Sequence, residues 1–136
     1  MDYVLDACAL IALLNDEPGA DTITKLLTNA EAGTDRLFMN SIQIMEVYYD
    51  RIYIRGHEYA ETVLESLYNS PIIILSNISR DIIREAGRFK TTYSMSLADT
   101  FAAATAKKLD AILVTKDSEM KAAENAGEFS ILWQIK

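Results

Sequence analysis

Cysteine and histidine are nearly missing: Cys8 and His57 are the sole residues of each type among 136. A disulfide within the chain is therefore excluded, and a Cys/His zinc site lacks its ligands. The same scarcity removes Cys/His nucleophilic sites and histidine acid–base chemistry. Positive charge is also short. Thirteen Lys and Arg face 20 Asp and Glu, for a formal net charge of −7. That balance argues against nucleic-acid binding driven by bulk charge. It leaves open binding through divalent cations, since clustered acids hold ions that reverse the local sign. Long apolar runs are absent too. "ALIALL" and "IIIL" are far too short to span a bilayer. "MDYVLDAC" has no basic region followed by an apolar stretch, so no signal peptide is expected. The expectation is a soluble, cytoplasmic protein with no membrane partner.

What is present is globular material. The chain is 50% hydrophobic and 24% charged, enough for a core, and its length suits one domain over residues 1–136. No repeat, low-complexity stretch or linker divides it. Strand and helix patterns alternate. "DYVL", "RLFMN", "IIILS", "AILVT" and "FSILWQI" read as strands, the last covering residues 129–135. "IIILS" is the strongest of them, an unbroken β-branched run of the kind buried in parallel sheets. Helices are expected over "ACALIALLN", "ADTITKLLTNAEAG", "SIQIMEVYYDRIYIRG", "HEYAETVLESLYNS" and "SRDIIREAGRFKTTY", then from Ser96 onward, and over "DSEMKAAENAG". The fold class is α/β, a central mainly parallel β-sheet flanked by helices on both faces.

In open parallel sheets, functional groups collect outside the carboxyl ends of the strands. Four acids fall there. Asp6 closes the first strand, Glu46 lies in the second turn of the helix after "RLFMN", Asp99 lies in the first turn of the helix leading to "AILVT", and Asp117 follows Thr115 by two residues. Three of them also have capping readings. Asp6 and Asp117 suit N-cap positions, and Ser96 with Asp99 fits a Ser-x-x-Asp capping box. Glu46 resists such a reading. Its neighbours Ile42, Ile44, Met45, Val47, Tyr48 and Tyr49 are apolar, and burying a lone carboxylate is costly without a counter-charge. Together the acids suit Mg²⁺ or Mn²⁺, which prefer carboxylate and water oxygens. Such ions bridge to phosphodiesters and activate water, chemistry that needs neither histidine nor cysteine.

The ordered segments "VLDACAL", "NSIQIMEV", "SLADTFAAATA" and "AILVTKD" resemble those of the PIN-domain ribonucleases. The likeness is greatest to the compact VapC-type toxins of toxin–antitoxin pairs, and it runs over nearly the whole chain. It implies a single PIN-like nuclease domain acting as a Mg²⁺- or Mn²⁺-dependent endoribonuclease. Asp6, Glu46, Asp99 and Asp117 carry over as the catalytic, metal-binding acids. Thr115, and with it Ser41, would supply hydroxyls near a metal-bound water, although Ser41 also suits the N-cap of its helix. RNA as substrate, homodimerisation and an inhibiting antitoxin follow from the same resemblance. Cys8 departs from the pattern, which favours alanine or a small hydroxyl there; a small buried thiol is the reading.

Arg80, Arg84 and Arg88 form one stripe at a spacing of four, either a phosphate contact or a solvated face balanced by Asp81 and Glu85. Arg51 and Arg55 are further candidates for RNA or antitoxin contact. Asp50, one turn after Glu46, is read as pairing outward with a lysine or arginine. The Glu46 helix is apolar around most of its circumference, with Tyr48, Tyr49, Ile52, Tyr53 and Ile54 on it, so a partner surface is expected on it. Alternatives remain: a PIN domain that processes RNA without an antitoxin, or one that binds RNA or protein without cleaving. A phospho-receiver needs an acid ending the central strand; with "IIIL" taken as that strand, none is there. A haloacid-type phosphatase wants a second aspartate where the chain reads "DAC".

Overall fold

A computed structural model describes residues 1–134. Five strands, β1 (Asp2–Leu5), β2 (Arg36–Asn40), β3 (Ile73–Leu75), β4 (Ile112–Thr115) and β5 (Ile131–Trp133), form one sheet in the order β3-β2-β1-β4-β5. Every pairing is parallel. Ile135, the last residue of the strand expected over 129–135, lies outside the described residues.

Strand alternation divides the core into two layers. Leu5, Leu37, Met39 and Val114 face one side, where they meet α1 (Ala7–Leu14), α2 (Ala20–Glu31), α3 (Ser41–Arg55) and α4 (His57–Tyr68) through Leu10, Ile23, Val47 and Val63. Val4, Phe38 and Leu113 face the other, against α5 (Arg80–Thr92) and α6 (Leu97–Leu109) through Phe89, Ala102, Ala103 and Ala106. The small residues of α6 are what let its backbone lie close to the sheet. Gly56, with φ near +88°, takes a conformation that side chains resist, and α3 thereby turns straight into α4. Residues 117–127, expected as one helix, instead form a 3₁₀ turn over Ser118–Met120 followed by α7 (Lys121–Asn125).

The "IIIL" run is not the buried centre of the sheet. β3 is a three-residue edge strand paired only with β2, and Ile73 is 41% exposed. An unbroken apolar run reports burial without saying which strand provides it; here the next residue back, Ile72, is the buried one. The central strand is β1, and it runs directly into Asp6.

This placement sets an energetic contrast. Leu113→Ala, at a fully buried position of β4, is expected to lose about 2–5 kcal/mol, whereas Ile73→Ala loses less than about 1 kcal/mol. Urea denaturation of the two variants measures both; equal losses would return β3 to the core.

Candidate active site

Parallel pairing of β2, β1 and β4 brings three carboxyl ends side by side, with Leu5 opposite Val114 and Val4 opposite Phe38. Asp6 emerges from the middle one and is buried. It caps α1, its Oδ1 accepting from the Ala9 N–H at 2.9 Å and from the Cys8 thiol at 3.1 Å. The other oxygen, Oδ2, accepts from the Thr115 hydroxyl. That hydroxyl also accepts from the Asp117 N–H at 2.9 Å, so one buried threonine ties Asp6 to the backbone of Asp117. Asp117 caps the 3₁₀ turn through the Glu119 N–H, 3.0 Å away. Cys8 is an inert thiol, since burial and then the Asp6 charge push its pKa up to about 12.

Asp99 is different. Ser96 caps α6 by accepting from the Asp99 N–H at 3.2 Å, but Asp99 does not complete the capping box. The return bond to the Ser96 N–H comes from Glu119, at 3.2 Å. The Asp99 carboxylate is thus released from capping and lies with those of Asp117 and Glu119, one oxygen from each falling within 4.8 Å of the others. Glu119 was invisible in the sequence as a member of this group, because it contributes across 23 residues from a segment that reads as ordinary exposed helix.

Glu46 enters half-buried from α3, with the Tyr49 hydroxyl donating to it at 3.4 Å. The cap of α3 is Asn40, not Ser41; the Asn40 Oδ1 accepts from the Gln43 N–H at 3.1 Å. Ser41 donates its hydroxyl to the Leu75 carbonyl at 3.2 Å. Gln43, on the same helix, is wholly buried. Its Oε1 accepts from the Ala7 N–H at 2.9 Å and its Nε2 donates to the Ala98 carbonyl at 2.7 Å. Arg51 is no surface contact. It is 1% exposed and donates to Asp50, Asn15 and Tyr59. Arg55 stacks over Tyr59 at 4.6 Å. In the arginine stripe, Arg84 pairs with Asp81, and Arg88 pairs with Glu85 and Glu128.

Asp6 and Glu46 are not part of the three-carboxylate group of Asp99, Asp117 and Glu119 but feel its charge. Burial pushes the Asp6 pKa up to about 6 despite its hydrogen bonds, and the charge of Asp117 adds to the rise. Burial again, then Asp117, Glu119 and Asp6, push Asp99 up to about 8. Glu46 is raised by burial and by Asp117, against the bond from Tyr49. Asp117 therefore acts on all three of the others. Among the described residues, the ion pairs involve none of these acids. Lys116, the nearest cation in sequence to Asp117, is spent on Glu17 at 3.0 Å.

A five-stranded parallel sheet in this order, with acids gathered at its carboxyl edge, defines a compact α/β domain with an anionic edge. The PIN-domain family model matches residues 3–126, and the chain belongs to that family; the phospho-receiver alternative is thereby set aside. No curated protein matches the sequence. Among solved structures, the chain is similar to VapBC2 from Rickettsia felis bound to a promoter DNA fragment (TM-score 0.76, 18% identity, 98% of each chain covered). It is also similar to VapBC-1 from nontypeable Haemophilus influenzae (0.73, 23%, 100% of each). A third neighbour is VapC20 of Mycobacterium tuberculosis, a Sarcin-Ricin loop cleaving toxin (0.65, 16%, 89% of this chain and 94% of that one). At these identities the likeness is one of fold.

The raised carboxyls have a consequence for stability. Unfolded, both aspartates release their protons near 3.8; folded and metal-free, they hold them to about 6 and about 8. The native state binds more protons across that window, so this contribution is complete below the unfolded value and is lost as pH rises through the folded ones. In metal-free buffer the melting temperature is expected to fall between about pH 4 and about pH 8. Asp99→Asn removes the upper part of the fall. A wild-type curve that is flat or rising over the upper half contradicts the crowding.

Proposed function

We propose that the protein is a Mg²⁺- or Mn²⁺-dependent endoribonuclease in which Asp6, Glu46, Asp99 and Asp117 hold the metal, and that it is the toxin of a toxin–antitoxin pair. The carrying observation is an anionic cluster, at the functional edge of a PIN fold, without a single lysine or arginine paired to it among the described residues. The donor set fits such ions. It consists of hard carboxylate oxygens, and the lone thiol nearby is held as a neutral donor to Asp6.

When bound, the divalent ion supplies a polarised phosphoryl oxygen and a water acidic enough to attack at neutral pH. The chain's own groups prepare the place. Thr115 gives its proton to Asp6 and accepts from the Asp117 backbone, which positions both acids and keeps its hydroxyl beside them. The Ala9 N–H donates to Asp6 Oδ1 and fixes that end of the carboxylate. Glu119 accepts the Ser96 N–H in place of Asp99 and leaves the Asp99 carboxylate available. Ser41, bonded to Leu75, gives its proton elsewhere.

The neighbours support the biological reading: two are VapBC structures, others are described as a toxin–antitoxin complex and a member of the VapBC family of toxin–antitoxin systems, and one is described as a Sarcin-Ricin loop cleaving toxin. An exposed stripe on α3 supports a protein partner. Met45, Tyr49 and Tyr53 recur at a spacing of four and are 50%, 43% and 85% exposed, the kind of tyrosine-rich surface enriched at interfaces. By the family resemblance the partners are an antitoxin and a second copy of the chain.

Asp6→Asn and Asp99→Asn are each expected to lower Mg²⁺-dependent RNA cleavage by about a hundredfold or more while circular dichroism stays native. Mn²⁺ should raise the melting temperature of the wild type and not of Asp99→Asn. Cleavage that persists in EDTA, or full activity in both variants, would remove the proposal.

A further inference from the structure

Gln43 makes two bonds that sit one residue away from two of the acids. Ala7, whose N–H it accepts, follows Asp6; Ala98, whose carbonyl it binds, precedes Asp99. Glu46 lies three residues further along the same helix, on the same side of it. One side chain on α3 thus touches the starts of both α1 and α6, spanning 36 residues in one direction and 55 in the other.

Neither bond is what a helix start ordinarily uses. The first N–H groups of a helix have no partner inside it and are met by a local cap or by water. Here the Asp6 side chain serves the Ala9 N–H, and the amide of a different helix serves Ala7. Gln43 is itself fully buried. An apolar side chain would suit a core position better, unless the amide's two bonds are what the position is for. Asn40 reinforces the device: it accepts from the Gln43 N–H and donates to the Phe101 carbonyl and Thr105 hydroxyl of α6.

We infer that Gln43 is a positioning residue, a two-ended amide clamp that fixes the separation of Asp6 and Asp99 relative to Glu46. The inference rests on the metal-dependent reading above. Carboxylates that repel one another drift apart unless the backbone segments carrying them are fixed. The sheet and Thr115 fix Asp6 to Asp117; Gln43 links the Asp6 and Asp99 segments through α3, the helix that carries Glu46.

The experiment measures Mn²⁺ affinity by the electron paramagnetic resonance of the free ion, well below melting, together with kcat and KM on RNA. Gln43→Met keeps the shape and loses both bonds. Gln43→Glu keeps the acceptor for Ala7 and sets an oxygen against the Ala98 carbonyl. Leu26→Ala, on α2 in the apolar layer of that side of the sheet, controls for general destabilisation. Mn²⁺ binding is expected to weaken about tenfold in Gln43→Met, with kcat reduced and KM for RNA within about twofold, and to stay within about twofold of wild type in Leu26→Ala. Gln43→Glu carries the inference should the methionine variant fail to fold. A purely electrostatic effect of its added charge tightens Mn²⁺ binding, whereas a lost clamp weakens it. Wild-type affinity in both Gln43 variants, or an equal loss in Leu26→Ala, overturns the clamp and leaves the metal reading intact. A wild type whose Mn²⁺ binding is absent, or matched by Asp99→Asn, overturns the metal reading and the clamp with it.

Discussion

Carboxylates that repel one another are held together at the carboxyl edge of a parallel sheet, and the rest of the structure accommodates that repulsion. Asp6, Glu46, Asp99 and Asp117 come from four separate stretches of chain, and three of them have pKa values raised by burial and by one another. A fold selected for stability alone would place a lysine among them. The described ion pairs instead lie elsewhere, with Lys116 turned to Glu17 and Arg51 to Asp50. The repulsion is offset locally, by the N–H of Ala9, the hydroxyl of Thr115 and the positive ends of α1 and α6. Among the described residues no lysine or arginine cancels it.

Much of this was legible before any coordinates. The acids stood out because β-strand patterns end just before Asp6 and Asp117, and because Glu46 sits among apolar neighbours on its helix. Strand–helix alternation fixed the class, since parallel strands need crossovers. Asp99 was ambiguous for a physical reason: a Ser-x-x-Asp helix start looks the same whether or not the aspartate returns a bond to the cap. Only the three-dimensional placement of Glu119 decides it.

What could not be read depends on contacts far apart in sequence. The "IIIL" run is apolar because it packs, yet its edge position follows from strand order, which no single segment encodes. Arg51 reads as a surface cation, but Asn15, which caps the end of α1, and Tyr59 of α4 supply it with partners in the interior. Gln43 lies wholly buried on a helix that reads as apolar around most of its circumference, and its two bonds run to segments 36 and 55 residues away. In each case local pattern gives the element, and the packing of distant elements gives the role.

The most direct measurement is diffraction from crystals grown with Mn²⁺, recorded at the manganese absorption edge. The account predicts an anomalous peak in bonding contact with carboxylate oxygens of Asp6 and Asp99, on the side where Glu46 and Asp117 converge. Acids found apart and paired with lysines, with no peak between them, would contradict it.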